Sequence, residues 1–336
     1  MNIAKRCIAV TIRTLAVAAT AGLLATAASA ESPYPNRSIT LVVPFAAGGP
    51  SDVIARLIGQ SMSRTLGQQI VIESTIGAGG TAAATRVSRA TPDGYTLLIH
   101  HLALVSAPSL YGNLSYDTRT AFEPIGLVNT GPMVLVGRKT LQADSAAEFI
   151  AYMKKEGDRI TMAHAGIGSN GHLCAILMSK AIGSKPVYVP YNGTGPAMND
   201  VIGGQDDVLC DQTTNAVPQI LGNSVKAYIV TSPERLDVLK DVATAREAGL
   251  PSLEMSIWHG LYAPKGTPPE AIDKLNKALA VALRDPFVVK RFNDVGTTLF
   301  PETEWSPQAH KKLFLSEIDR WSALLKEAGV TPANAH

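Results

Sequence analysis

The chain has 336 residues and carries 30 Lys and Arg against 28 Asp and Glu, but three of the basic residues, Lys5, Arg6 and Arg13, stand in its first thirty. Past them 27 basic residues face 28 acidic ones, a net charge of −1, without a Lys/Arg run or interleaved aromatics, which excludes the basic stripe that nucleic-acid binding requires. The 306 residues beyond position 30 suffice for two domains of ordinary size rather than one oversized core.

In chain order, the three basic residues precede an apolar run over 15–28 that ends in Ala28-Ser29-Ala30, the pattern of a secretory signal cleaved after Ala30. The run is shorter than the ~20 apolar residues of a membrane-spanning helix. Cys7 sits in the basic leader, ahead of the apolar run rather than at its end, so it is not a lipid-attachment site. Residues 39–45 (ITLVVPF) read as a strand buried on both faces and 52–66 as its crossover helix. Further strands are predicted at 69–73, 96–100, 133–137, 160–164, 187–189, 208–211, 225–231 and 261–263. Helices fit between them, and Ser145-x-x-Glu148 and Thr244-x-x-Glu247 carry the hydroxyl and carboxylate of capping boxes. This alternation predicts an α/β protein of mainly parallel sheets flanked by helices. Amphipathic helices close the chain at 269–283, 285–295 and 306–328, the last started by Ser306-Pro307 and stopped by Gly329. No low-complexity linker interrupts the pattern. Ordered strands crossing near residues 131 and 257 would then join a discontinuous domain 1 (31–130 and 257–336) to an inserted domain 2 (131–256).

Three Gly-rich segments each follow a predicted strand, at 46–52 (AAGGPSD), 77–81 (GAGGT) and 166–171 (GIGSNG). Glycine lets backbone amides approach a ligand, and a following helix start adds partial positive charge, so such loops hold anions without Arg or Lys. Tight βα turns are the plainer explanation for any one of them. Three together point to a site at the strand C-terminal ends. The third matches G-x-G-x-x-G, yet the acidic residue expected ~20 positions on is missing from Val189-Pro190-Tyr191-Asn192-Gly193, which argues against a dinucleotide.

The histidines lack metal-binding spacing: His100 and His101 are adjacent and would face opposite sides of a strand, and His164 and His172 have no His-Glu-x-x-His pattern. Neither a metal nor a cofactor is expected. An exported acyl-transfer hydrolase with a Ser or Cys nucleophile is the alternative reading. His172 and Cys174, however, are two apart on a helix, and no Gly-x-Ser-x-Gly elbow presents Ser51. Asp52 reads as a helix-start residue; Asp211, ending a strand, would orient loops or meet an ammonium or water in a cleft. Cys174 and Cys210 are expected as buried free thiols rather than as a bridge.

Residues 39–52, Gly77-Ala78-Gly79-Gly80, Pro92-Asp93-Gly94-Tyr95-Thr96-Leu97, Pro190-Tyr191-Asn192-Gly193, Gly203-Gly204-Gln205-x-Asp207 and Gly260-Leu261-x-Ala263-Pro264-x-Gly266-Thr267-Pro268 give the chain its family character. Over 34–329 it resembles the Bug, or TctC-like, periplasmic receptors of tripartite tricarboxylate transporters. The resemblance implies a two-domain type II binding-protein fold and a periplasmic, monomeric receptor rather than an enzyme, with the transporter's membrane components as partners. It also implies a small organic acid as ligand, a di-/tricarboxylate or an aromatic carboxylate, held in the cleft by amides, hydroxyls and water. The contacts implied are Phe45, Ala46, Ala47, Gly48, Ser51, Asp52 and Gly79 from the first loops, and Ile167, Gly168, Ser169, Asn170, Tyr191, Asn192, Gly193 and Thr194 from the later ones, with Asp211 nearby. One carboxylate is expected on the amides around Gly168, Ser169 and Asn170. The chain departs from the family at Ser74-Thr75-Ile76, at Asn192, where Lys is common, and at His100-His101, where small residues are common. That histidine pair would either stack on or donate to the acid, or form a solvated loop.

Overall fold

The computed structural model describes residues 33–327, 329, 330 and 332. The predicted leader lies outside the described residues, as does part of the chain end. No helix among the described residues is long and apolar enough to cross a membrane.

The first strand, β1 (Ile39–Val43), is a run of β-branched and leucine side chains buried almost throughout. Gly49 caps the helix that follows, α1 (Pro50–Leu66); Pro50 takes the first helical position, where its missing N–H is no loss, and Gly67 in the left-handed region ends it. Then come β2 (Ile70–Ser74), α2 (Thr81–Ser88), β3 (Thr96–His101), α3 (Leu102–Leu110) and the long β4 (Phe122–Arg138). Next are α4 (Ala146–Glu156), β5 (Thr161–His164), α5 (Asn170–Ile182), β6 (Val187–Pro190), α6 (Thr194–Ile202), β7 (Val208–Gln212), α7 (Thr213–Leu221) and β8 (Val225–Val230). The chain closes with β9 (Ala243–Thr244), β10 (Ser256–Pro264), α8 (Pro269–Arg284), α9 (Pro286–Asn293), β11 (Thr298–Leu299) and α10 (Pro307–Glu327).

The main strand order is β2-β1-β3-β10-β4-β7-β5-β6. β1 runs parallel to β2 and β3, and β5 runs parallel to β6 and β7. Between these parallel groups lie two long antiparallel strands. The first part of β4 pairs with β10 as far as Pro132, and from Met133 it pairs with β7 and β8.

The sequence pattern places only 133–137 in this strand, because Pro124, Gly126, Gly131 and Pro132 read as breakers. Two of those glycines are set by close approach rather than by a turn. A Cβ at Gly126 would stand 2.9 Å from Asn276 Nδ2 on α8, and one at Gly131 would stand 2.6 Å from Thr297 Oγ1.

Cys174 on α5 and Cys210 on β7 form a disulfide, with Cα atoms 6.3 Å apart, which corrects the expectation of free thiols. Sequence spacing carries no information on their distance. The approach depends on Gly171, where a Cβ would lie 2.9 Å from the Cys210 carbonyl oxygen, so only glycine lets α5 sit this close to β7. The bridge closes 36 residues of chain, and loop-closure entropy assigns such a link about 4 kcal/mol. Replacing both cysteines by alanine should lower the unfolding free energy by about 2–4 kcal/mol in urea titration. An unchanged midpoint would mean that the bridge does not constrain the unfolded chain.

Candidate functional site

The ends of β3, β5 and β7 and the loop after β1 meet at one cavity, lined by Phe45, Ala46, Gly49, Pro50, Ser51, Asp52, His101, Met133, Ala165, Ser169, Asn170, Gly171, Thr194, Asp211 and Gln212. The space between these residues, the open solvent at its mouth included, is about 360 Å³. Five helices begin on it: α1 after Gly49, α3 after His101, α5 after Ser169, α6 at Thr194 and α7 after Gln212. Each start carries a partial charge of roughly +0.5 and amides without intrahelical acceptors. No Lys or Arg lines the cavity.

At α1 the only carboxylate is already committed, because Asp52 accepts from the Gly48 amide at 3.1 Å and pairs with Arg56 at 2.9 Å. This is the helix-start role expected of it, and it leaves the Ser51 hydroxyl and the first-turn amides to face the cavity. At α5, Ser169 Oγ accepts from the His172 amide at 3.3 Å, so Asn170 and Gly171 hold the unclaimed amides. Two buried side-chain oxygens on the cavity, Asn170 Oδ1 and Thr194 Oγ1, make no hydrogen bond of good geometry among the described residues. Buried polar atoms are normally paired, so these two mark polar space left for a ligand: Thr194 Oγ1 can donate to an acceptor there, and Asn170 does so through Nδ2 with its amide turned over.

Of the residues singled out in the sequence, Phe45, Ala46, Ser51, Asp52, His101, Ser169, Asn170, Thr194 and Asp211 line the cavity. Ala47, Gly48, Gly79, His100, Ile167, Gly168, Tyr191, Asn192 and Gly193 do not. The Gly168 amide donates to His172 Nδ1 at 3.2 Å and the Ser169 amide to Gly166 O at 3.1 Å, so neither is available to an anion. Gly168 packs on Leu110 and Tyr111. Several of the others join the early loops to the later ones: the Ala46 amide donates to Asn192 O at 2.9 Å, and the Tyr111 hydroxyl donates to Ile167 O at 2.5 Å. Gly193 and Gly195 permit that approach, since a Cβ would stand 3.0 Å from the Ala46 nitrogen or 2.8 Å from Ala47 O, respectively. Tyr191 is occupied elsewhere, its hydroxyl 2.6 Å from Asp200 and 2.5 Å from Asp206.

Gly49, Pro50 and Gly171 also line the cavity and lie within the Gly-rich segments 46–52 and 166–171, whereas sequence reasoning missed Met133, Ala165 and Gln212. Gln212-Thr213-Thr214, a polar run directly after a strand, was a signal for the α7 start, but it lacks the glycines that marked the other loops.

The His100-His101 pair is no solvated loop: both rings are buried at the end of β3. His100 Nδ1 accepts from the His101 amide at 2.9 Å and its Nε2 meets Gly80 O at 3.3 Å, which fixes the proton on Nε2. His101 caps α3 by accepting from the Ala103 amide at 3.1 Å through Nδ1, so its Nε2–H is the donor left for the cavity. Phe45 stacks on His101 at 5.2 Å, and His259 from distant β10 meets it edge-on at 5.4 Å. His259 Nε2 lies 3.2 Å from Ser51 Oγ, a pairing that nothing in the sequence indicated. Burial drives His100 down to about 4 and His259 to about 3, so this wall is neutral. Among the described residues, no His, Cys, Asp and Glu cluster suited to a metal occurs.

Asp211 is the one acid on the cavity without a cationic partner. It accepts from the Gln212 amide at 2.8 Å and from Asn215 Nδ2 at 2.5 Å. Burial raises its pKa to about 6 against the pull of those bonds and of the nearby Thr194 hydroxyl. A carboxyl group raised in the fold stabilises it fully below the unfolded value near 4, and that contribution is lost as pH rises through about 6. Asp211→Asn, with the Asn215 amide turned over, should therefore stabilise the unliganded protein by about 1–3 kcal/mol at pH 7.5 and by little at pH 4. Denaturant melts at both pH values test this; equal effects at the two would show that Asp211 does not titrate in this range.

The chain matches the model of the tripartite tricarboxylate transporter family receptor over residues 54–330. Among solved structures it is similar to the periplasmic binding protein BugD, at 44% identity and TM-score 0.87 over 89% of this chain and all of that one. MatC of Rhodopseudomonas palustris, solved with bound malate, gives 42% and 0.84 over 87% of this chain and 100% of MatC. Rpa4515 of R. palustris, solved with adipate, gives 31% and 0.84 over 89% and 100%. These likenesses and the observed architecture agree on a mixed α/β binding-protein fold with helices flanking its sheets. The chain belongs to the tripartite tricarboxylate transporter receptor family.

Proposed function

We propose that this protein is an exported receptor that captures a small dicarboxylate in the cavity and delivers it to the membrane components of a tripartite transporter. The observation that carries the reading is that five helix N-termini and no cationic side chain line one cavity. One carboxylate meets the α1 and α3 starts with Ser51 and His101. The other meets the α5, α6 and α7 starts with Asn170 and Thr194. The bound malate and adipate of MatC and Rpa4515 are dianions of this kind. The change of partner along β4 at Pro132 and Met133 supports two domains, 31–130 with 257–336 and 131–256, hinged on β4 and β10. The leader predicted at 1–30 supports export.

Ser51 and His259 give the hydrolase reading its best geometry. A general base works near its own pKa, however, and burial holds His259 down at about 3, with no partner on Nδ1 among the described residues to orient it. We therefore read the pair as part of a binding wall rather than as a nucleophile and its base.

Calorimetric titration should find malate, succinate or adipate binding, and the uncharged diamides of the same acids inert. Thr194→Val should weaken the diacid about tenfold, the loss of one hydrogen bond to a charged group. Tight binding of neutral solutes, or turnover of the bound acid, would defeat the receptor reading. Tyr111→Phe, which removes the bond to Ile167 O, should speed ligand release several-fold in stopped-flow chase; an unchanged rate would mean that this contact does not hold the cleft shut.

A further inference from the structure

His259 is fully buried on β10 behind two residues that line the cavity, its ring edge-on to His101 and its Nε2 3.2 Å from the Ser51 hydroxyl oxygen. Its other nitrogen, Nδ1, has no partner among the described residues. His259 pairs with Asn129 and the next residue, Gly260, with Leu127, so Val128 is the extra residue of a bulge in the facing strand β4. Gly260 must be glycine, because the His310 ring occupies the place of any Cβ.

Only two neutral tautomers are available to the ring. With the proton on Nδ1, a buried N–H has no acceptor, and Ser51 spends its single proton on Nε2. A ligand carboxylate would then face the lone pairs of Ser51 Oγ. With the proton on Nε2, the ring donates to Ser51 Oγ and the hydroxyl hydrogen is left to point into the cavity. The atom then lacking a partner is a bare ring nitrogen, an acceptor, which is better tolerated in a protein interior than an orphaned N–H.

We propose that His259 is a positioning residue for ligand recognition: protonated on Nε2, it donates to Ser51 Oγ and turns the serine hydroxyl toward the ligand as a donor. The α1 end of the cavity thereby selects a ligand group that accepts hydrogen bonds, a carboxylate, over one that donates them. This rests on the carboxylate reading of the cavity.

The tautomer is read without ligand, from the nitrogen chemical shifts of ¹⁵N-histidine-labelled protein. The expected result is a protonated Nε2 and an unprotonated Nδ1, and a protonated Nδ1 overturns the proposal. Malate titration then compares Ser51→Ala, His259→Leu, His259→Gln and the Ser51→Ala/His259→Leu double variant, each checked by thermal melting. Ser51→Ala and His259→Leu should each weaken malate about tenfold, and the double variant no more than either alone, because both remove the same donor. His259→Gln, whose amide nitrogen reaches the place of Nε2, should stay within about threefold of the parent. A folded His259→Leu that binds like the parent, or losses that add in full, would overturn the positioning role alone. If the parent binds neither malate, succinate nor adipate, the carboxylate reading falls, and the proposal with it. Should His259→Leu fail to fold, the tautomer and the glutamine variant decide.

Discussion

Backbone amides at a helix start have no acceptor within the helix, and five such starts open on one cavity here. The rest of the site follows from that arrangement. Lysine and arginine are absent from the walls, and the only carboxylate near α1, Asp52, is neutralised by Arg56 and the Gly48 amide. What remains is a field of partial positive charges fixed to the main chain, which cannot swing away as a side chain can. Such a field would require little reorganisation on meeting an anion.

Close backbone approach makes the convergence possible. Gly171 brings α5 against β7, with Cys174 bonded to Cys210 beside it, and Gly193 and Gly195 let the α6 loop meet the chain after β1. At these positions the glycines serve contact distance as well as turn geometry. The bonds from Ala46 to Asn192 and from Tyr111 to Ile167 cross between the early and late loops. These bonds brace the cavity from outside while leaving its polar lining for the ligand.

Electrostatics separates the two sides of the cavity. His100, His101 and His259 form a buried wall that stays neutral through the physiological range, with tautomers set by backbone partners at His100 and His101. Asp211, on the opposite side, is poised at about 6. A dianion bound beside it would favour its protonated form, so charge on the ligand and charge on Asp211 are thermodynamically linked.

The alternation of strands and helices, the βα loops that end on the cavity and the receptor family were all legible in the sequence. Each is a local matter, of apolar period, glycine after a strand, or a short motif such as Ala46-Ala47-Gly48-Gly49-Pro50-Ser51-Asp52. The full length of β4 was hidden because Gly126 and Gly131 look like breakers until α8 and Thr297 are seen against them. Which amides of 166–171 face the cavity was equally hidden. The His172 and Gly166 acceptors claim those of Gly168 and Ser169, and only the folded loop shows it. The disulfide and the contact of Ser51 with His259 join residues 36 and 208 positions apart in the chain. Periodicity and motif spacing report on neighbours along the chain, whereas these contacts depend on how the sheet brings distant strands together, and that the tertiary structure alone decided.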